Sequence, residues 1–183
     1  MKPSSPNISA LTTGLFYAVM AAVAALWSSL LPQGMKGLLA LPQTLTVPWW
    51  SAGLGAAVLL IGSSELAQAQ SPAMRVVASE MCETMAPFTW PRAIWFALTS
   101  GLAEEALFRG AAQATLGPWL TALVFALLHG GGRRRTLPWA AFALLAGVVL
   151  AGLVRVYGSL APAVVAHVVV NAVNLRRLQR YAA

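Results

Sequence analysis

Five polar side chains lie inside apolar stretches of this 183-residue sequence, and their types suit acid–base chemistry. Glu104 and Glu105 are adjacent in one stretch, and His129 lies in the next. His167 and Asn171 lie four residues apart in a later stretch, a spacing that puts both on one helix face. A carboxylate beside an imidazole can activate water, while an imidazole and an amide can stabilise an oxyanion. These are the groups that peptide hydrolysis requires.

The two glutamates are expected to differ in role, because only one of them has a cation at helical spacing. Arg109 follows Glu105 by four residues, with the acid nearer the N-terminus, the favourable order for an ion pair on a helix. Such a pair satisfies both charges and leaves Glu104 chemically free. A free carboxylate in an apolar setting is suited to take a proton from water.

The composition indicates a membrane protein. Hydrophobic residues make up 58% of the chain and charged residues only 9%, whereas a soluble domain is typically about 25% charged. Several apolar runs approach the roughly 20 residues needed to cross a bilayer. The net charge of +7 lies mostly at the ends of these runs, not on a face with interleaved aromatic residues. That distribution is typical of membrane topology and argues against nucleic-acid binding.

The expected fold class is all-α: a polytopic integral membrane helix bundle of about six transmembrane helices, forming a single membrane-embedded domain over 1–183. Pro118, Pro138 and Pro162 each lie in a predicted first turn, where a missing N–H costs least. Gly117 and Gly158 fall at predicted helix ends. The expected helices span about 11–31, 48–68, 93–115, 118–131, 137–156 and 160–176.

The depths of the polar residues along these helices predict that they meet. Glu104 lies ~15 Å from the start of the third helix, and His129 ~16 Å from the start of the fourth. His167 and Asn171 lie ~10 and ~16 Å into the sixth. If successive helices cross the membrane in opposite directions, all four side chains lie near one level of the bilayer and can surround a single polar cavity.

The segment 69–92 differs from the rest because it mixes charged and apolar residues. Arg75, Glu80 and Glu83 alternate with methionines and valines, which suits either a helix lying along the membrane interface or a solvated loop. Cys82, the single cysteine, permits no internal disulfide and has no metal-type partner spacing, so we expect no role for it in the chemistry.

The cations predict the orientation in the membrane. With six crossings and a cytoplasmic N-terminus, Lys36 and Arg155 fall outside and nine cations fall inside. Both termini are therefore expected in the cytoplasm, with the protein in the bacterial inner (cell) membrane. The nine inner cations are Lys2, Arg75, Arg92, Arg133, Arg134, Arg135, Arg176, Arg177 and Arg180.

Three short patterns carry a family resemblance. Residues 104–109 read Glu-Glu-x-x-x-Arg, residues 125–129 read Phe-x-x-x-His, and residues 167–171 read His-x-x-x-Asn. In this order and spacing they resemble the CPBP family of intramembrane proteases, which includes the type II CAAX prenyl endopeptidases and bacteriocin-processing or self-immunity proteins. The motif-bearing core covers about 93–176, as the family's core helices do.

The resemblance implies roles for the motif residues. Glu104 is expected to activate water together with His129, and His167 with Asn171 to stabilise the oxyanion. Glu105 and Arg109 are expected to support the site, and Phe125 to pack beside it. The interpretation favours a mechanism without a cofactor. The alternative is zinc held by Glu104, His129 and His167, with one position left for water.

The expected function is therefore an endopeptidase acting on a membrane-anchored peptide or protein, such as a prenylated end, a bacteriocin precursor or a C-terminal sorting tail. Membrane lipid is its other expected partner, and the sequence does not indicate an oligomeric state. Two alternatives remain: a catalytically idle scaffold or immunity partner, and a small transporter or proton relay, since buried glutamate and histidine also move protons. Replacing Glu104 separates them, since only the protease would lose cleavage while staying inserted.

Overall fold

The computed structural model describes residues 9–32, 34–42, 46–85, 89–130 and 133–181, and over these residues the protein is helical without strands. This confirms the all-α helix bundle expected from the sequence. Two short 3₁₀ turns, Arg134–Thr136 and Leu178–Tyr181, supplement the main helices. The main helices are α1 (Ala10–Ser29), α2 (Trp49–Gln70), α3 (Pro72–Met85), α4 (Trp90–Glu104), α5 (Gln113–Gly130), α6 (Leu137–Tyr157) and α7 (Ala161–Arg177), and a π-helical segment (Glu105–Ala112) joins α4 to α5.

Several helices are built to cross a bilayer. Within the described residues, four helical stretches are long and apolar enough for this: α1, α2, the 41-residue stretch Trp90–Gly130, and Arg134–Tyr157. A 20-residue helix such as α1 is ~30 Å long, the thickness of a hydrocarbon core. Leu11, Leu15 and Val19 of α1 are each more than half exposed. Such a surface suits lipid, and the protein is an integral membrane protein.

The longest apolar stretch reverses direction at Gly117. This residue has φ 78° and ψ 166°, a non-helical conformation that glycine adopts without steric cost, and Pro118 follows it. Along a straight helix, the 25 residues from Glu104 to His129 would span ~37 Å. Their side chains nevertheless lie 3.7 Å apart. The break expected between the third and fourth helices is thus confirmed, and it returns the chain to the level of Glu104.

Close packing holds α7 between α2 and α4. A Cβ at Gly53 of α2 would lie 2.6 Å from the Pro162 carbonyl oxygen. A Cβ at Gly101 of α4 would lie 2.7 Å from Val168 Cγ2. Small residues let membrane helices approach closely, because van der Waals contact takes over from the hydrophobic effect in lipid. The helix that carries His167 and Asn171 is therefore fixed on two sides.

The mixed segment forms a helix over Pro72–Met85, so the solvated-loop alternative is wrong for these residues. Met74, Val77, Ala78 and Cys82 are buried on one side of α3. The charged residues lie elsewhere on the helix. Helix α3 packs against the C-terminal turn Leu178–Tyr181 and covers one end of the bundle.

Candidate active site

A cavity of about 290 Å³ lies among the helices and contains the expected polar residues. Glu104, His129, His167 and Asn171 all line it, although they come from three separate helices. Apolar side chains of α3, α6 and α7 line much of the remainder. The structure thus brings together the four residues that the sequence predicted to meet.

Glu104 lies at the centre of this group. One of its carboxylate oxygens, Oε2, is 3.7 Å from His129 Nε2 and 3.8 Å from His167 Nε2. None of the described residues donates a hydrogen bond to this buried oxygen. One carboxylate oxygen and two ring nitrogens therefore converge on the same small space.

The opposite ring nitrogen fixes the tautomer of His129. His129 Nδ1 lies 2.9 Å from the Phe125 carbonyl oxygen. A carbonyl oxygen only accepts hydrogen bonds, so Nδ1 carries the hydrogen and donates it. In the neutral ring, Nε2 then presents a lone pair towards Glu104.

His167 is oriented in the same way by the second glutamate. His167 Nδ1 donates to Glu105 Oε1 over 2.7 Å. Arg109 Nη1 donates to the same oxygen over 3.0 Å, which confirms the ion pair expected from the four-residue spacing. Arg109 Nη2 also donates to the Gly147 carbonyl of α6 over 3.3 Å. Sequence reasoning predicted the Glu105–Arg109 pair but missed the third member, His167.

The adjacent glutamates approach the two edges of one imidazole. Glu104 faces Nε2 of His167, and Glu105 binds Nδ1. The backbone changes character between them, because Glu104 ends α4 and Glu105 begins the π-helical segment. Wide π-helical turns occur frequently at functional sites. Here the change coincides with two neighbouring carboxylates that have different partners.

Phe125 packs at the meeting point of these groups, as expected for a packing residue. Its ring centroid is 4.1 Å from that of His129 and 6.4 Å from that of His167. The Arg109 guanidinium carbon lies 4.6 Å from the same ring centroid, a cation–π distance. Phe125 therefore packs against both histidines and the buried cation, while its carbonyl orients His129.

Asn171 and two residues that sequence reasoning missed form a second polar group. Asn171 Nδ2 donates to Ser100 Oγ of α4 over 2.9 Å. Tyr17 of α1 lines the same cavity. Ser100 and Tyr17 stand in apolar helices without a motif around them, so the sequence carried no signal for either.

Asn174 is a further cavity residue that the spacing could have revealed. It follows His167 by seven residues and Asn171 by three, so the three share a helix face. Its side-chain oxygen accepts from Ser64 Oγ of α2 over 3.1 Å. This bond ties α2 to α7 one turn beyond the four expected residues.

The residue types at the site suit zinc, but the distances between their donor atoms are wider than those on tetrahedral zinc. Glu104, His129 and His167 carry the oxygen and nitrogen donors that zinc accepts, and two ligands on tetrahedral zinc lie about 3.3 Å apart. The observed separations from Glu104, 3.7 and 3.8 Å, are wider. In the described part of the chain, no three His, Cys, Asp or Glu side chains are arranged to hold a metal ion.

Fold and site together define an integral membrane protein with a buried carboxylate–imidazole centre. Residues 86–173 match the family model described as Type II CAAX prenyl endopeptidase Rce1-like. All three motifs lie inside the match, which confirms over these residues the family resemblance expected from the sequence. No curated protein and no solved structure matches the chain.

Proposed function

We propose that the protein is an intramembrane endopeptidase in which Glu104 and His129 activate a water molecule to cleave a membrane-anchored peptide. The observation that carries the proposal is the position of Glu104 Oε2, which faces the Nε2 atoms of His129 and His167 at 3.7 and 3.8 Å in one cavity. A single water can hydrogen-bond to two acceptors at this separation. The family match supports the same class of reaction.

In the proposed first step, Glu104 takes a proton from the water as its oxygen attacks the carbonyl carbon of the peptide bond. The lone pair on His129 Nε2 accepts the second hydrogen of the water and orients it, because Nδ1 is held by the Phe125 carbonyl. Glu104 then gives its proton to the leaving nitrogen. A buried carboxylate that first accepts and later donates the proton is a general base turned general acid.

Asn171 and His167 are proposed to stabilise the tetrahedral oxyanion. The amide of Asn171 has two hydrogens, of which one is donated to Ser100, so the other remains for the substrate. His167 gives its Nδ1 hydrogen to Glu105 and therefore donates from Nε2 only as an imidazolium. Glu105 would stabilise that cation directly. One preorganised oxyanion donor is worth about 10²–10³ in kcat.

The charges of the cluster support an imidazolium at His167. Glu104, Glu105 and Arg109 are all buried, which leaves one carboxylate charge without a cation. Isolated charge in an apolar interior is costly. One additional proton on His167 makes the cluster neutral and leaves Glu104 ionised, so that Glu104 can take a proton from the water and pass it to the leaving nitrogen.

The substrate is proposed to be a peptide held at the membrane. The family name points to prenylated C-terminal ends, while bacteriocin precursors and sorting tails share the same chemistry of an anchored peptide. Met74, Val77 and Met81 of α3 form an apolar part of the cavity wall beside the polar centre. An apolar group next to the scissile peptide bond would fit there.

A comparison of protein C-termini tests the proposal for any membrane-anchored substrate that the cell contains. Membranes from cells that express the wild-type chain or Glu104→Ala at equal levels are analysed for new C-termini by mass spectrometry. The proposal expects a set of membrane proteins to lose these termini in Glu104→Ala. Identical sets at equal insertion would overturn it and favour a scaffold or a transporter.

A chelator addresses the metal requirement in the same membranes. A mechanism without metal predicts unchanged cleavage after treatment with a strong zinc chelator. Cleavage that is lost with chelator and restored by added zinc would instead assign Glu104, His129 and His167 as zinc ligands.

A further inference from the structure

Among the described residues, three carboxamide side chains line the cavity: Asn171 and Asn174 of α7 and Gln68 of α2. The mechanism proposed above uses only Asn171. Leu175 and Leu178, which follow Asn174 closely in the chain, also line the cavity, so the surroundings are largely apolar. A polar group is costly in such surroundings unless it is hydrogen-bonded, so the partners of the two additional amides indicate their role.

One half of each additional amide is held by a hydroxyl group. Asn174 Oδ1 accepts from Ser64 Oγ over 3.1 Å, and the same hydroxyl lies 3.0 Å from the Ile61 carbonyl oxygen. Ser64 is only 1% exposed, so a buried group fixes the Asn174 amide. Gln68 Oε1 accepts from Tyr181 Oη over 3.0 Å. The orientation of both amides is therefore set by the protein.

The other half of each amide has no partner within the part of the chain that the structure describes. The atoms concerned are Asn171 Oδ1, Asn174 Nδ2 and Gln68 Nε2. None of the three atoms is itself buried, so each can be reached from the cavity that its residue lines. An amide oxygen accepts hydrogen bonds, and an amide nitrogen donates two. The cavity thus presents one acceptor and two donor groups for a ligand.

The three amides follow one another along the bundle. Helix α2 contacts α7 through Ser64 and Asn174. One turn later, Gln68 contacts Tyr181 beyond the end of α7, so the two helices run in the same direction. Asn174 lies ~4.5 Å beyond Asn171 along α7, and Gln68 lies ~6 Å further, one turn after Ser64. The amides cover ~10 Å, the length of about three residues of an extended chain.

We propose that Asn171, Asn174 and Gln68 form an amide row that binds the backbone of the substrate peptide in an extended conformation. Asn174 Nδ2 and Gln68 Nε2 donate to peptide carbonyl oxygens, and Asn171 Oδ1 accepts from a peptide N–H. The row starts at the proposed catalytic centre and leads towards the end of the bundle that α3 covers. This inference rests on the proposed function for the identity of its ligand.

The membrane setting gives the physical reason for such a row. An extended peptide carries backbone N–H and C=O groups that find no water in an apolar surrounding and are costly when unpaired. Side-chain amides supply the donors and acceptors that these groups need. Because the contacts are made to the backbone, binding should depend little on the side chains of the peptide.

Peptide binding without cleavage tests the amide row. Full-length Glu104→Gln in liposomes is titrated with two fluorescent farnesylated peptides that end in CAAX-type sequences and differ in the side chains around the farnesylated cysteine. Adding Asn174→Leu or Gln68→Leu should raise the Kd of both peptides about 3- to 10-fold, as expected for one lost hydrogen bond. Gln70→Leu is the matched control, because Gln70 is exposed on α2 and does not line the cavity. It should leave the Kd unchanged.

Ser64→Ala tests whether the Asn174 amide must be held in place. The change removes the hydroxyl and frees the amide to rotate, so the Kd should rise about 2- to 5-fold. In the Asn174→Leu protein the same change should add almost nothing, since the hydroxyl no longer has an amide to hold. Ser63→Ala is the control, because Ser63 donates to the Leu59 carbonyl and does not line the cavity.

Cleavage of the same peptides provides a second measurement. With Glu104 intact, Asn174→Leu and Gln68→Leu should raise KM by the factor seen in binding and leave kcat within about twofold, because backbone contacts hold substrate and transition state alike. Thermal unfolding in detergent shows which variants are folded. Gln68→Leu leaves the contact between Ser64 and Asn174 intact, so it decides the question if Asn174→Leu does not fold.

The possible results separate this inference from the proposed function. Unchanged affinity in a folded Asn174→Leu or Gln68→Leu protein would overturn the amide row, and so would a loss confined to one peptide, which would mean recognition of side chains. No saturable binding by Glu104→Gln would also overturn it, since backbone contacts should hold any anchored peptide. If the wild type binds both peptides through the amide row but leaves them uncut, the amide row stands and the proposed function is contradicted.

Discussion

At the scale of single residues, Arg109 explains how the Glu105 carboxylate can be buried beside that of Glu104. Its side chain is about 1% exposed, and it donates to Glu105 and to the Gly147 carbonyl. Through Glu105 it also fixes the orientation of His167, because His167 Nδ1 shares the same carboxylate oxygen. Arg109 thus fixes the orientation of the His167 ring through Glu105, without binding His167 itself.

Replacing Arg109 by methionine should destabilise the protein strongly. The change leaves Glu105 buried without its cation, and breaking a buried pair from one side costs about 3–5 kcal/mol. The melting temperature in detergent should therefore fall clearly. The double variant Glu105→Gln/Arg109→Met should recover part of the loss, since both charges are then removed.

An exposed ion pair provides the control for Arg109. Arg135 binds Glu80 at 3.1 Å, with the two side chains 56% and 44% exposed. Arg135→Met should cost less than about 1 kcal/mol, as is usual for surface pairs. Equal losses of stability in Arg109→Met and Arg135→Met would contradict the buried role of Arg109.

The sequence indicated the members of the charged cluster because ionisable groups are rare in an apolar chain and therefore conspicuous. It could not indicate that His167 shares Glu105 with Arg109, because that contact depends on how α7 is rotated against α4. Tyr17 and Ser100 could not be predicted as cavity residues for another reason. A tyrosine and a serine are common in membrane helices, and nothing in their spacing marks a site.

At the scale of helices, the approach of α7 to α4 sets the distance between Glu104 and His167. Gly101 makes this approach possible, because a Cβ there would meet Val168, the neighbour of His167 in the chain. Gly101→Ala should therefore push the helices apart, cost about 1–3 kcal/mol of stability and reduce cleavage. The measurement is thermal unfolding together with the rate of cleavage.

Gly55 of α2 offers a matched helical control. A Cβ at Gly55 would meet nothing within 4 Å. Gly55→Ala should leave cleavage unchanged and stabilise the helix by up to about 1 kcal/mol, since alanine is the better helix former. If Gly101→Ala were as stable and active as Gly55→Ala, α4 and α7 would have space for the additional methyl group, which would contradict this prediction.

Helix α3 makes a separate prediction through Cys82, the single cysteine of the chain. Burial raises the pKa of the Cys82 thiol, and the charge of Glu83 raises it further. Less thiolate is then present at a given pH, so alkylation at pH 8 should be slow and should accelerate only as the pH rises above the ordinary thiol range. The rate of iodoacetamide labelling in detergent measures this.

A second cysteine position on α3 controls for reagent access. Thr84 is exposed, so Thr84→Cys in a Cys82→Ala background should label quickly at pH 8. Equal rates at the two positions would mean that α3 does not bury Cys82 against Ala78 and Leu178 as the structure has it.

The helices themselves could be predicted well, because long apolar runs and the proline and glycine positions mark where membrane helices begin and end. The π-helical segment Glu105–Ala112 could not, since a change in backbone hydrogen bonding leaves the apolar pattern almost intact. The sequence also did not decide between a helix and a loop for the segment 69–92. Its pattern suits a helix, but only the burial of Met74 and Cys82 shows that α3 packs on the bundle.

At the scale of the whole molecule, ion pairs bring three of the nine predicted inner cations near one end of the bundle. Arg177 and Arg180 bind Glu65 near the end of α2, at 3.0 and 3.3 Å. Arg135 binds Glu80 on α3, which follows α2 directly. These contacts place residues from four parts of the chain on a common side, as the charge distribution requires.

The orientation prediction is that this side faces the cytoplasm. A fluorescent protein fused to the C-terminus should therefore fold and fluoresce, and alkaline phosphatase fused after Gly158 should be active outside. The opposite result for both reporters would mean that the positive charges do not set the topology of this chain.

The central claim is that Glu104 activates water for hydrolysis, and oxygen isotope labelling tests it most directly. Membranes holding the wild-type chain, Glu104→Gln or the exposed-site control Glu83→Gln are incubated in H₂¹⁸O, and new C-termini are analysed by mass spectrometry. The account predicts ¹⁸O-labelled C-termini for the wild type and Glu83→Gln, and a loss of at least about 100-fold in Glu104→Gln at equal insertion. Labelled C-termini at the wild-type level in Glu104→Gln, or none in the wild type, would contradict it.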